Sequence, residues 1–222
     1  MYISQADIPT MKRIYIFSGL GADERVFKYL NFPGYEPIFI RWLQPIKGES
    51  IEHYSKRLTE QITTSKPILI GLSFGGIIAT EVSKVIDTEK IILMASAKTK
   101  KEIPYYYRWP GFLNLHKLLP TFLMKKPGVV SNWFFGIQSK EEKKLLSDIM
   151  SDTDPKFLKW AINQIVKWRN LTKAENIKHI HGTSDRILPY RFVHADFTIH
   201  NGGHFMTVNK SAELNKVLEG LL

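Results

Sequence analysis

Four short apolar runs follow one another in the first half of the chain: Ile14-Tyr15-Ile16-Phe17, Pro37-Ile38-Phe39-Ile40, Ile68-Leu69-Ile70 and Ile91-Ile92-Leu93-Met94. Each is rich in β-branched or aromatic side chains and is bounded by Gly, Pro or charge, so each reads as a buried strand. Helical stretches separate them. One begins near Arg25-Val26-Phe27, one runs from Ser50 to about Ile62 with Ser50 as its candidate N-cap, and one follows Ser73. Strands alternating with helices build a parallel sheet covered on both faces.

The pattern changes after Ala97. From Lys98 to about Asn176 there is no convincing strand, only aromatics (Tyr105 to Tyr107, Trp109, Phe112, Trp133 to Phe135) and helix starts. Ser139-Lys140-Glu141-Glu142 has the form of a capping box, and Asp154-Pro155 that of an N-cap followed by proline at the first helical position. Phe157, Leu158, Ala161, Ile162 and Ile165 then recur at helical spacing. Strands resume at Ile177 to His181 and at Val193 to Ile199, and a last helix is expected from about His204 to Leu218. The expected organisation is an α/β core over residues 1–97 and 177–222, with a helical cap inserted at 98–176. At 222 residues this is one larger domain, or a domain with an insertion.

Composition narrows the chemistry. Cysteine is absent, which excludes disulfides, thiolate nucleophiles and cysteine-ligated metal sites. That suits a reducing compartment, and a cytoplasmic location is expected. The start, Met1 to Asp7, lacks the basic and apolar regions of a secretory signal, and no apolar run is long enough to span a bilayer. The net charge of +10 is spread along the chain, as at Lys98 to Lys101, Lys125-Lys126 and Lys143-Lys144. It reads as a solvated basic surface, with an anionic partner or membrane surface as the minor alternative, and no nucleic-acid partner is expected.

Between the third strand and its helix stands Gly71-Leu72-Ser73-Phe74-Gly75, a G-x-S-x-G pattern. A serine on a sharp strand-to-helix turn is exposed at the positive end of the helix, which suits a nucleophile. Such a serine needs a base, and the base needs a third group to orient it. In a parallel sheet these groups meet at the carboxyl ends of strands. His204, after Gly202-Gly203 and the last strand, is the candidate base; Asp185, in Gly182 to Pro189 after the fifth strand, is the candidate acid. His179 and His181 lie inside a strand and share one face. Asp196 is the rival acid, and His200 with His204 could pair on a metal, although no carboxylates cluster there. The plain structural alternatives are a loop histidine capping the final helix and a turn aspartate bonding its own backbone. Oxyanion donors are expected from the backbone N–H of Phe74 and from the loop Ser18 to Asp23, with Leu20 between Gly19 and Gly21. A dinucleotide loop is the competing reading of Gly19-Leu20-Gly21. It fails at the third glycine position, where Glu24 stands.

On these residues the chain resembles the α/β-hydrolase fold serine hydrolases. The elbow at Gly71 to Gly75, the acid turn at Gly182 to Pro189, Gly203-His204 and the chain order Ser73, Asp185, His204 all match the family's pattern. Ser18-Gly19 departs from the His-Gly that many relatives carry. The resemblance implies a three-layer α/β/α fold with a mostly parallel sheet of about six strands. It also implies a Ser-His-Asp triad that needs no metal or organic cofactor, and an acyl-enzyme route. The expected substrate is a small to medium apolar ester or thioester. Gly19, Met94, Tyr106, Trp109 and Trp133 are the candidate substrate contacts. Acyl transfer, lyase chemistry or a non-catalytic binding role on the same fold are the alternatives.

Overall fold

The apolar runs form one sheet in the computed structural model, which describes residues 11–107 and 128–222. In chain order the elements are β1 (Lys12–Phe17), β2 (Tyr35–Phe39), α1 (Ile51–Leu58), β3 (Ile68–Leu72), α2 (Phe74–Val82) and β4 (Lys90–Met94), then α3 (Val129–Phe135), α4 (Lys140–Asp152) and α5 (Pro155–Lys167), and finally β5 (Ile177–Gly182), β6 (Phe197–Ile199), α6 (Met206–Asn209) and α7 (Ser211–Glu219). The six strands lie in the order β2-β1-β3-β4-β5-β6, and every neighbouring pair is parallel. The order reverses at β1, which lies between β2 and β3. The carboxyl ends of β1 and β3 therefore border the crevice where sheets of this kind bind ligands.

Alternation along each strand divides the core into two layers. Tyr15, Phe17, Leu69, Ile91 and Leu93 pack with Tyr54 and Leu58 of α1 and Ile77, Ile78 and Val82 of α2. Ile14, Ile16, Ile70, Ile92 and Ile180 pack on the opposite face with Val26, Phe27, Leu214 and Leu218. All five residues of β3 are buried. Each such Ile or Leu contributes about 1.5–3 kcal/mol, so the sheet centre is the rigid platform of the molecule.

Between β4 and β5 the described residues are helical and irregular. Asp154 caps α5 by accepting from Lys156 and Phe157 N–H (2.6 and 2.9 Å). Ser139 caps α4 through Glu142 N–H (3.1 Å), but the Glu142 side chain reaches back to Gln138 N–H, so the capping box is only half formed. Side chains tether this helical segment to the core. Trp160 Nε1 donates to Glu49 O (2.9 Å), and Arg25 bridges Asp23 and Asp152 (both 2.7 Å).

Three expectations need correcting. The strand expected at Val193 to Ile199 is only Phe197–Ile199. Tyr190–Phe192 form a 3-10 turn, and Asp196 turns back to accept from His179 N–H (2.8 Å) and Lys98 Nζ (3.0 Å). The helix expected near Arg25 is a 3-10 turn, Glu24–Phe27, capped by Asp23. The last helix starts at Met206 and breaks at Lys210 into α6 and α7.

Candidate active site

Ser73 occupies the turn between β3 and α2 with φ +52° and ψ −119°. A non-glycine residue there costs on the order of 1–3 kcal/mol, so the surroundings must hold it. They do: Ser73 N–H donates to Met94 O (2.9 Å), and Ser96 Oγ donates to Ser73 O (2.7 Å). The flanking glycines are steric necessities. A Cβ on Gly75 would overlap the carbonyl oxygens of Phe17 and Ser18, and one on Gly71 would overlap the backbone of Gly76. Without them α2 could not approach β1 and β3 closely enough to make the turn.

Two residues distant in sequence converge on this serine. His204 Nε2 lies 2.9 Å from Ser73 Oγ, and His204 Nδ1 lies 2.7 Å from Asp185 Oδ2. A carboxylate only accepts, so Nδ1 carries the proton and Nε2 turns its lone pair to the serine hydroxyl. Asp185 Oδ1 accepts from Ile187 and Leu188 N–H (both 2.9 Å), which fixes the carboxylate in its turn. Burial alone would raise the Asp185 pKa. The neighbouring His204 imidazole and its hydrogen bond, together with His181 and the Leu188 N–H, outweigh burial and hold it below the usual carboxylate range. The rival, Asp196, is instead paired with Lys98, away from the serine. Among the described residues no group of three or more His, Asp or Glu side chains is placed to hold a metal ion.

No protein-family model and no curated protein matches the sequence. Solved structures do match in shape. They include a bromoperoxidase from Bacillus anthracis (TM-score 0.66, 19% identity, 95% of this chain and 91% of that one) and an esterase from Exiguobacterium antarcticum (0.66, 15%, 95% and 91%). A thermophilic esterase from Thermogutta terrifontis is similar at TM-score 0.68 and 15% identity, covering 96% of this chain and 89% of that one. The chain has the α/β-hydrolase fold. Identities this low speak for the fold alone.

Within this α/β-hydrolase fold the loop after β1 comes close to the serine: a Cβ on Gly19 would lie 3.7 Å from Ser73 Cβ. Ala22 N–H donates to Gly19 O (3.0 Å), closing a turn with Leu20 and Gly21 at its centre and Gly21 at φ +70°. The turn bond leaves the Leu20 N–H unused. Phe74 opens α2, where helix geometry leaves its N–H without an intrahelical partner. Ser18 braces the loop internally, donating from Oγ to Ala22 O (2.6 Å).

A cavity of about 670 Å³ opens from Ser73 and His204 beneath α3, α4 and α5. Gly19 and Leu20 line it, as do Leu146, Ile149, Leu158 and Ile162. Of the other expected substrate contacts, Met94, Tyr106 and Trp133 do not line it. Met94 is fully buried in the core layer below, where only its carbonyl serves the serine. Tyr106 packs against Tyr105, Tyr107 and Phe192, and its neighbour Tyr107 faces the cavity instead. Trp133 is exposed, with the Arg186 guanidinium 4.6 Å from its ring centre. Trp109 lies outside the described residues.

Behind the acid stands a pair the sequence reasoning passed over. His181 Nε2 is 2.8 Å from Leu188 O, and its Nδ1 is 3.2 Å from His179 Nε2. A carbonyl only accepts, so His181 Nε2 bears the hydrogen and Nδ1 accepts from His179. His179 Nδ1 is then a bare, buried nitrogen without a partner among the described residues. Burial, with mutual repulsion and Lys98, drives the His179 pKa well down; burial also lowers that of His181. This neutral pair braces the turn that carries Asp185. The available signal was two alternate histidines on one strand face, leading straight into the acid turn.

Proposed function

We propose that the protein is a serine hydrolase that cleaves a neutral carboxylic ester or thioester with an apolar arm. The observation that carries this is the continuous hydrogen-bonded chain Ser73 Oγ–His204–Asp185, at 2.9 and 2.7 Å, opening onto an apolar cavity. Ser73 Oγ attacks the acyl carbon while its proton passes to His204 Nε2. Asp185 holds the imidazole and stabilises the imidazolium. The N–H groups of Leu20 and Phe74 take the developing oxyanion, each donor contributing about 3–4 kcal/mol to the barrier reduction in such sites. His204 then protonates the leaving oxygen or sulfur. Water, deprotonated by the same imidazole, releases the acyl group and restores Ser73. Esterases among the structures of similar shape support this reading; a bromoperoxidase among them shows that fold alone does not choose it.

Purified protein is expected to hydrolyse p-nitrophenyl esters with saturation. Asp185→Asn should lower kcat on the order of 10³–10⁴-fold, because an amide at that position stabilises the wrong imidazole tautomer. The proposal is sunk by a folded protein that hydrolyses none of these esters, or by an Asp185→Asn variant that keeps the wild-type rate.

A further inference from the structure

A second, smaller pocket of about 70 Å³ also reaches Ser73 and His204. It is floored by Ala95, Ser96 and Ala97 at the end of β4 and walled by Phe74, Ile77 and Ile103. Tyr107, Ile165 and Ile187 line both spaces, as Ser73 and His204 do, so these three side chains stand with the catalytic pair at the partition where the two spaces meet. The partition is pinned. Tyr107 Oη donates to Ile187 O (2.9 Å), and Ile187 N–H is held by Asp185 Oδ1 (2.9 Å). Burial pushes the Tyr107 phenol up to about 12, so that donor persists at neutral pH.

Apart from Ser73 and His204, the polar side chains in both spaces are already engaged among the described residues. Ser96 Oγ donates to Ser73 O; Thr153 Oγ1 shares its proton between Ile149 O (2.8 Å) and Gly21 O (3.2 Å); Ser131 Oγ is bonded to the Gly128 backbone. His204 is the only ionisable side chain besides Tyr107 among the described residues that line either space. At ~30 Å³ for a water-sized group, the small pocket holds two or three such groups and the large cavity about twenty.

We infer that the substrate is a strongly asymmetric neutral ester: one long hydrocarbon arm fills the large cavity, and the other arm, no more than about three carbons long, fits the small pocket behind the Tyr107–Ile165–Ile187 partition. This rests on Ser73 being the nucleophile, since the scissile carbonyl must sit between the two spaces.

Three isomeric eleven-carbon esters test it: methyl decanoate, nonyl acetate and pentyl hexanoate. They share composition and apolar content and differ only in where the ester lies. The better of the first two should exceed pentyl hexanoate in kcat/KM by about 10-fold or more, as expected when a pocket rejects extra methylenes. Which of the two is better assigns the acyl arm to one space. Ile165→Ala thins the partition and should narrow that ratio by raising turnover of pentyl hexanoate. Pentyl hexanoate cleaved within about twofold of the better isomer would overturn the inference. So would a protein whose Ser73 is labelled by a fluorophosphonate but which cleaves none of the three. Failure to label at all strikes at the nucleophile itself, and both readings fall together.

Discussion

Ser73→Ala is expected to reduce ester turnover by about a millionfold, to the level left by binding and oxyanion contacts alone. The substitution keeps the Cβ, the N–H to Met94 O and the carbonyl bonded to Ser96 Oγ, so the strained turn remains as it is. Only the hydroxyl facing His204 Nε2 is lost. Nothing in the sheet is disturbed, and the melting temperature should change by no more than a few degrees, in line with a loss under ~1 kcal/mol. The loss is therefore chemical, and circular dichroism with thermal melts separates it from unfolding. A variant that kept as much as a tenth of the wild-type kcat would place the nucleophile elsewhere.

Gly75→Ala adds one methyl group and is expected to have the largest effect on stability. Its Cβ would meet the carbonyl oxygens of Phe17 and Ser18. These are main-chain atoms at the end of β1, which is laddered to β2 on one side and β3 on the other and cannot move aside. Relief requires α2 to lift off the sheet, which unpacks the buried Ile77, Ile78 and Val82 and spoils the Ser73 turn. A loss of about 4 kcal/mol or more is expected, a fall of roughly 8–16 °C in a chain of this size, or failure to accumulate as soluble protein. Gly128→Ala is the control. Among the described residues its Cβ would meet nothing within 4 Å, and its φ is −124°, so its melting temperature should stay near the wild-type value. If Gly75→Ala melts as the wild type does, the close approach of α2 to β1 is wrong.

The parts of this molecule that were legible in the sequence are those whose placement follows from local rules. The four apolar runs became β1 to β4 because each is short, rich in β-branched side chains and bounded by turn residues; the runs of β1, β3 and β4 are buried, whereas β2, expected to be buried, forms the edge of the sheet and is only partly covered. Ser73, Asp185 and His204 could be picked because each follows a strand, and parallel strands deliver their carboxyl ends to one edge. The cavity wall was not legible in that way. The expected aromatic contacts Tyr106 and Trp133 stand outside the cavity while Tyr107, Phe134 and Phe135 beside them line it, and the rest of the wall is largely aliphatic, with Leu146 and Ile149 of α4 and Leu158, Ile162 and Ile165 of α5. Helical spacing marks these as one apolar stripe but does not say whether the stripe faces the sheet or a void. That depends on how the tethers at Glu49, Asp152 and Gly21 set the helices above the serine. The over-long strand at Val193 failed for a similar reason. Its apolar alternation is real, but Val193 N–H closes the Tyr190–Phe192 turn and His194 N–H is taken by Glu102, 92 residues away, so the backbone first bonds to β5 at Asp196, through its N–H to His179 O.

If His204 and Asp185 make Ser73 a nucleophile, the purified protein reacts with a fluorophosphonate, and mass spectrometry locates the adduct. One adduct per chain is expected, on Ser73, absent from Ser73→Ala and formed far more slowly in His204→Ala. A folded wild-type protein that takes up no probe, or takes it up at another residue, would contradict it.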